Sequence, residues 1–261
     1  LPATGEARRF QPGLYDLSAT MSVPEIARLL ASGARNEVVM TIPEGSTVKD
    51  IDARLGGTGI IATGTLAGYP IGALARDYSF LNGRGSLEGF LFPDTYRFEL
   101  DSDAAAVARR LLDAFEAKAW PLLEGVKDWY NVLTLASLLE REVPEFNDRQ
   151  LVAGVLLKRV RRGMPLQVDA TVTYAKCDGQ IRGCAEPAMR RGDLAIPSPY
   201  NTYQRLGWTP TPIANPGQVA IRAALDPKAS AYWYYLSAST TKETMFSKTL
   251  EEHNAKRARY L

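Results

Sequence analysis

Apolar residues recur at helical spacing along much of the chain. Ile26, Leu29 and Leu30 follow Ser22 and Glu25, a capping-box pair that opens a helix stopping near Gly33. Val48, Ile51 and Leu55 mark a second helix, TVKDIDARL, entered through Gly45-Ser46 and closed by Gly56-Gly57. Longer periodic stretches predict helices over Ser102–Ala119, Asp128–Glu142 and Asp148–Gly163. Shorter ones predict helices from Gln218 to Leu225 and from Lys248 to the end. Strand-like runs are fewer: Gly13–Leu17, Asn36–Pro43 and the AYWYYLSA segment. The aromatic-rich GSLEGFLFPDTYRF reads as extended chain ending in a turn at Pro93-Asp94. Met164–Gly217, rich in Pro, Gly, Asn, Thr and Tyr, predicts loops and short strands. The expected fold is α+β: a small module over residues 1–77, then a larger domain of helices and a short, irregular sheet over 78–261.

Composition narrows the functional classes. The 261 residues carry 31 Lys and Arg against 29 Asp and Glu, a net charge of +2, so no global field favours nucleic acid. A single His, His253, excludes a multi-His metal site, and no G-x-S-x-G motif accompanies it. It reads as structural, and no metal or cofactor is expected. The Ile60–Ala75 stretch is too short and too Gly-interrupted to span a membrane. Cys177 and Cys184 lie in a polar loop. They form a disulfide in an oxidising compartment or two thiols in a reducing one.

The helix over Asp128–Glu142 carries the most suggestive chemistry. At about 100° per residue, Val132, Leu135, Ala136, Leu139 and Val143 share one face, and Arg141 points away to solvent. Glu140 and Glu142 flank the apolar face symmetrically, so periodicity does not choose between them. Pro144 ends the helix near Val143. A carboxylate in that last turn faces the negative end of the helix dipole and an apolar neighbourhood, both of which favour its protonated form. A general acid working near neutral pH needs that.

Seven stretches in order resemble the YceG-like, or MltG-type, endolytic murein transglycosylases. They are Thr41–Gly45, Glu88–Tyr96, Leu135–Glu142, Gly163–Tyr174, Ser198–Tyr203, Thr211–Gly217, and Phe246–Thr249 with Glu252–Asn254. The resemblance implies a LysM-like N-terminal module and a YceG-like catalytic domain, peptidoglycan glycan strands as substrate, and peptidoglycan synthases as candidate partners. It also implies one transmembrane anchor ahead of the module, absent from this sequence, with the catalytic part on the periplasmic or extracytoplasmic face of the cell membrane. The family's catalytic glutamate maps to Glu140. Ala170 departs from a usual Pro, and Trp208-Thr209 from a usual Leu-Pro.

The implied chemistry is lytic transglycosylation. Glu140 protonates the leaving oxygen of the MurNAc-β-1,4-GlcNAc bond, then accepts the proton of the muramoyl C6 hydroxyl as that oxygen closes on C1. A 1,6-anhydro end results. Gln167, Asp169, Tyr174, Tyr200, Asn201, Thr202 and Asn215 are the polar residues expected around the cleft, since tyrosine rings suit sugar faces and amides and hydroxyls suit sugar OH groups. Two other outcomes remain open: a hydrolase that adds Glu142 or Asp169 as a second carboxylate, and a non-catalytic glycan-binding scaffold.

Overall fold

The computed structural model describes residues 10, 11, 15, 17–32, 37–238, 241 and 243–260. Helix α1 (Val23–Ser32) begins as expected, with the Ser22 N–H donating to Glu25 Oε2 at 2.7 Å. The Gly13–Leu17 strand expectation falls largely outside the described residues. Strand β1 (Glu37–Thr41) leads through a turn into helix α2 (Val48–Gly57), capped reciprocally by Thr47 and Asp50.

Strand β1 pairs antiparallel with β2 (Thr95–Glu99), so that Thr41 opposes Thr95. Met40, Tyr96 and Phe98 point inward, while Val39 and Arg97 alternate outward, the period-two pattern of a strand with one buried face. The strand in the aromatic-rich segment therefore follows the Pro93-Asp94 turn rather than preceding it. Proline's missing N–H suits the turn better than the ladder. Ahead of it, Phe80 and Phe90 sit on short turns and join Phe115, Trp120, Trp129 and Tyr130 in an aromatic nest. Trp120 and Trp129 meet edge to face at 5.1 Å.

Four helices follow: α3 (Ala104–Lys118), the one-turn α4 (Trp120–Leu123), α5 (Trp129–Glu142) and α6 (Phe146–Arg161). Trp120-Pro121 restarts the helix instead of only ending it, because proline is tolerated in a first turn. Helix α8 (Gln218–Leu225) packs against both α5 and α6, and this trio holds the candidate site. The expectation of loops and short strands over Met164–Gly217 needs correction. Helix α7 (Asp169–Lys176) lies there, and no strand does among the described residues. Strand β3 (Tyr234–Ser237) pairs with β4 (Thr244–Ser247), and both pack on helix α9 (Leu250–Tyr260).

One continuous apolar core runs from Met40 through Leu111 and Leu139 to Ala224, and so passes across residue 77. Cys177 and Cys184 form a disulfide with Cα atoms 5.4 Å apart. Among the described residues, no helix is long and apolar enough to cross a membrane. The architecture is α+β: helices packed around two small antiparallel sheets.

Candidate active site

Glu140 lies in the last turn of α5. Pro144 holds Val143 extended (φ −143°, ψ 139°), so the helix stops at Glu142. Glu140 Oε1 accepts from Arg149 Nη2 at 2.7 Å, and Oε2 accepts the Gly217 N–H at 3.0 Å. The ion pair is buried, with side-chain exposures of 6 % for Arg149 and 5 % for Glu140. Arg149 is fixed in turn by donating from Nε to the Val143 carbonyl at 2.7 Å. Glu140 thus meets a guanidinium and a peptide N–H rather than the apolar surroundings anticipated. An ionised carboxylate offers about four acceptor positions, so two remain for substrate.

Asn215 sets this geometry. Its Oδ1 accepts from the Gly89 and Leu91 N–H groups at 3.0 and 2.8 Å. Its Nδ2 donates to the Ser46 carbonyl at 2.9 Å and to Glu88 Oε1 at 3.2 Å. Its backbone exchanges two more bonds with Gly45 and Ser46. Three chain segments meet on this one side chain, and the loop it anchors delivers Gly217 to Glu140. Gly45 has φ +73°, and a β-carbon on it would stand 3.6 Å from Glu140 Cγ.

Glu142, two residues on, has a different environment. Burial and the nearby Asp169 charge push its carboxyl up to about 7, opposed by the Tyr235 hydroxyl and the Ala170 N–H. Asp169 accepts from the Tyr203 hydroxyl at 2.5 Å. Arg141, expected in solvent, is half-buried and donates from Nη1 to the Gly45 carbonyl at 3.3 Å. The turn that brings Gly45 over the end of α5 covers it.

The seven expected cleft residues divide. Tyr174 and Tyr200 are half-buried, with rings 4.9 Å apart. The Tyr174 hydroxyl donates to Glu88 at 3.1 Å, and the Tyr200 hydroxyl lies 2.9 Å from Thr211 Oγ1. Gln167 and Asp169 are exposed, and Gln167 holds a left-handed backbone, φ +52°, which is unusual for a non-glycine residue. Asn201, Thr202 and Asn215 are fully buried. Asn201 donates to the Leu194 and Ile196 carbonyls, and Thr202 Oγ1 accepts the Val168 N–H. The hydrogen-bonding groups of these three are already engaged inside the chain, so they hold its loops in place. His253 stacks on Tyr234 at 5.3 Å, far along the chain from these loops.

Two carboxylates escaped the sequence reading. Glu88 is buried and accepts the Val48 N–H at the start of α2, and burial pushes it up to about 8. Glu44, on the turn before α2, lies against Gly217. Its only sequence signal was its place in the Thr41–Gly45 stretch. Among the described residues, no group of three or more His, Cys, Asp or Glu could hold a metal ion.

Fold and site together define an α+β protein with a buried, arginine-held glutamate in the last turn of α5. The chain belongs to the YceG-like family, whose sequence profile matches residues 2–259. It is 33 % identical to an endolytic murein transglycosylase of Bacillus subtilis, over 98 % of this chain and 74 % of that protein. It is 28 % identical to an endolytic murein transglycosylase of Streptococcus pneumoniae over 93 % of this chain, but spans only 49 % of that relative's length. A crystal structure of a YceG-like protein from Listeria monocytogenes superposes with a TM-score of 0.70 at 30 % identity, covering 95 % of this chain and 85 % of the other.

Proposed function

We propose that this chain is a peptidoglycan lytic transglycosylase that cuts inside glycan strands, with Glu140 as its acid and base. The relatives named as endolytic murein transglycosylases support the substrate and reaction class. The observation that carries the residue assignment is the isolation of Glu140. Its side chain is nearly buried, held in one orientation by Arg149 and Gly217, and still has unused acceptor positions. A fixed orientation matters because proton transfer needs the carboxyl within hydrogen-bond reach of the glycosidic oxygen.

The bonds balance without water. The C1–O4 bond breaks as Glu140 gives its proton to the departing GlcNAc oxygen. The muramoyl C6 oxygen bonds to C1, and its proton returns to Glu140. Positive charge develops at C1 in between, and a carboxylate close by favours it. On this reading Tyr174, Tyr200, Gln167 and Asp169, none of them fully buried, are the side chains that hold sugars. The disulfide supports an extracytoplasmic location, where such bonds persist. Membrane anchoring by a segment outside this sequence, and association with peptidoglycan synthases, belong to the same reading.

The test is digestion of purified, uncrosslinked glycan strands with the parent protein and with Glu140→Gln, followed by mass spectrometry. Anhydro-ended fragments from the parent alone are expected. Reducing ends gained from water would make the enzyme a hydrolase. Equal cleavage by both proteins would remove Glu140 from the chemistry, and strand binding without cleavage by the parent would leave a scaffold.

A further inference from the structure

Arg84 carries a positive charge that no carboxylate of the described residues meets in an ion pair. Its guanidinium lies over the Tyr130 ring, 3.9 Å from the centroid, and 5.0 Å from the centroid of Trp129. Both rings belong to the aromatic nest, so the charge rests on a fixed platform. The residue is half-buried, and its Nε is fully buried with no acceptor. Glu88, four positions on, is buried with the Val48 N–H and the Tyr174 hydroxyl and does not neutralise it. The platform is tied to the candidate active site. Phe90 stacks on Tyr130 at 6.2 Å, and its neighbours Gly89 and Leu91 both donate to Asn215. Burial pushes the Tyr130 hydroxyl up, Arg84 pulls it down, and Tyr200 and Glu88 push it up again. Tyr130 therefore links Arg84 to the Tyr174–Tyr200 pair. On α5 it precedes Glu140 by ten residues (140 − 130), which is about 15 Å along the helix axis.

We propose that Arg84 binds a carboxylate carried by the glycan strand and so selects strands by their charge. The inference deepens the transglycosylase reading and rests on it for the substrate. A guanidinium is a planar fork of donors with no acceptor of its own, and a carboxylate matches it best. A neutral sugar hydroxyl would leave the charge unpaired. Stacking on two rings restrains the side chain before any ligand arrives, so less freedom is lost on binding. Peptidoglycan strands carry carboxylates in two places: on the stem peptide where a muramoyl unit is substituted, and on the lactyl group where it is bare. About 15 Å is the span of four to five extended residues, so a stem peptide attached beside the cut reaches Arg84, as does the lactyl group of a more distant sugar. The structural alternative makes Arg84 a staple of the aromatic nest. A staple would contribute to stability and be indifferent to the charge on the strand.

Strand binding by the whole chain tests this, with Glu140→Gln present throughout so that the strands survive. Three ligands are compared: uncrosslinked peptide-bearing strands, strands stripped of peptides by an amidase, and peptide-bearing strands whose carboxyls are blocked as amides. Adding Arg84→Gln should weaken binding of the peptide-bearing strands about tenfold, the scale of one charge-assisted contact. It should leave binding of the blocked strands unchanged, so that the two losses are not additive. A loss confined to peptide-bearing strands places the carboxylate on the stem peptide, and an equal loss on stripped strands places it on the lactyl group. Arg84→Lys, which keeps the charge without the fork, should fall between and gives the same comparison should Arg84→Gln fold poorly. Equal losses on intact and blocked strands, or none on either, would mark Arg84 as a staple and overturn the inference. A second readout needs no strand. The Arg84 Nε–H resonance of the parent should shift on titration with free stem peptide or with N-acetylmuramic acid, and not with their amidated forms. If the parent released no anhydro ends, the functional reading would fail instead, and this titration would still decide whether Arg84 takes a carboxylate. No shift with either probe overturns the proposal.

Discussion

Glu140 and Glu142 are two residues apart on one helix, yet the fold treats them as different chemicals. Glu140 faces a guanidinium from α6 and a peptide N–H from the start of α8. Glu142 faces Asp169, the Tyr235 hydroxyl and the interior, and is pushed up to about 7. Helix geometry alone makes them symmetric about the apolar face. The difference comes from which elements pack on each side, and it separates a carboxylate held by charge from one isolated by burial.

Charge removal at Glu140 should have the largest effect on activity. Glu140→Gln should lower the cleavage rate by about 10²–10⁴-fold, the range for loss of a general acid or base. The amide oxygen still accepts from Arg149, so circular dichroism should report an intact fold with a lower melting temperature. Residual activity within tenfold of the parent would mean that another group carries the proton.

Arg149→Met would give Glu140 surroundings like those of Glu142. It leaves a buried carboxylate without its cation and the Val143 carbonyl without its donor. Breaking a buried pair from one side costs about 3–5 kcal/mol, measurable by urea denaturation at pH 7. A loss below about 1 kcal/mol, the scale of an exposed pair, would show that Glu140 does not depend on that partner.

Glu142→Gln sharpens the contrast from the other side. The folded state holds the Glu142 proton up to about pH 7, while the unfolded chain releases it near 4.5. The folded state therefore binds more protons over that window, and the parent loses stability as pH rises from about 4.5 through 7. At one pH unit per about 1.4 kcal/mol, the loss from this residue is about 3–4 kcal/mol. Stability–pH curves for Glu142→Gln should be flatter by that amount, with the Glu88 contribution, which extends to about pH 8, unchanged. Parallel curves for the two proteins would refute the isolation of Glu142.

The same contrast separates what was legible in the sequence from what was not. Helix α8 spans Gln218–Leu225 as its periodicity indicates, and α5 ends where Pro144 requires. Those are local signals. Helix α7 was hidden because its short stretch, Asp169–Lys176, sits among loop-forming residues, and β4 because four residues leave too little alternation to read. Glu44 reaches a glycine 173 positions away (217 − 44), a relation no local pattern encodes. Asn201, Thr202 and Asn215 looked like sugar ligands because the groups that bind a sugar also bind a backbone. Only their complete burial and occupied partners separate the two uses. The choice of Glu140 over Glu142 came from the family resemblance, and the packing around each gives a physical reason why the two differ.

The smallest expected effect lies away from both glutamates. The disulfide closes the loop 177–184, whose Arg182 N–H donates to Asp50 Oδ1 at 2.8 Å and whose Asp178 pairs with Lys49. The loop is thereby pinned to α2 near its N-terminal end. A short loop restrains the unfolded chain less than a long one, so Cys177→Ser with Cys184→Ser should cost about 2 kcal/mol. Cleavage at 25 °C should stay within twofold of the parent, because neither cysteine touches Glu140, Glu44 or Arg149. Reductant should shift the parent's melting curve onto that of the double variant and leave the variant's own curve unmoved. A loss of cleavage tracking disulfide reduction would instead mean that the loop, through Asp50 and Arg141, helps set the charge at the end of α5, and that the two glutamate environments are less independent than their packing indicates.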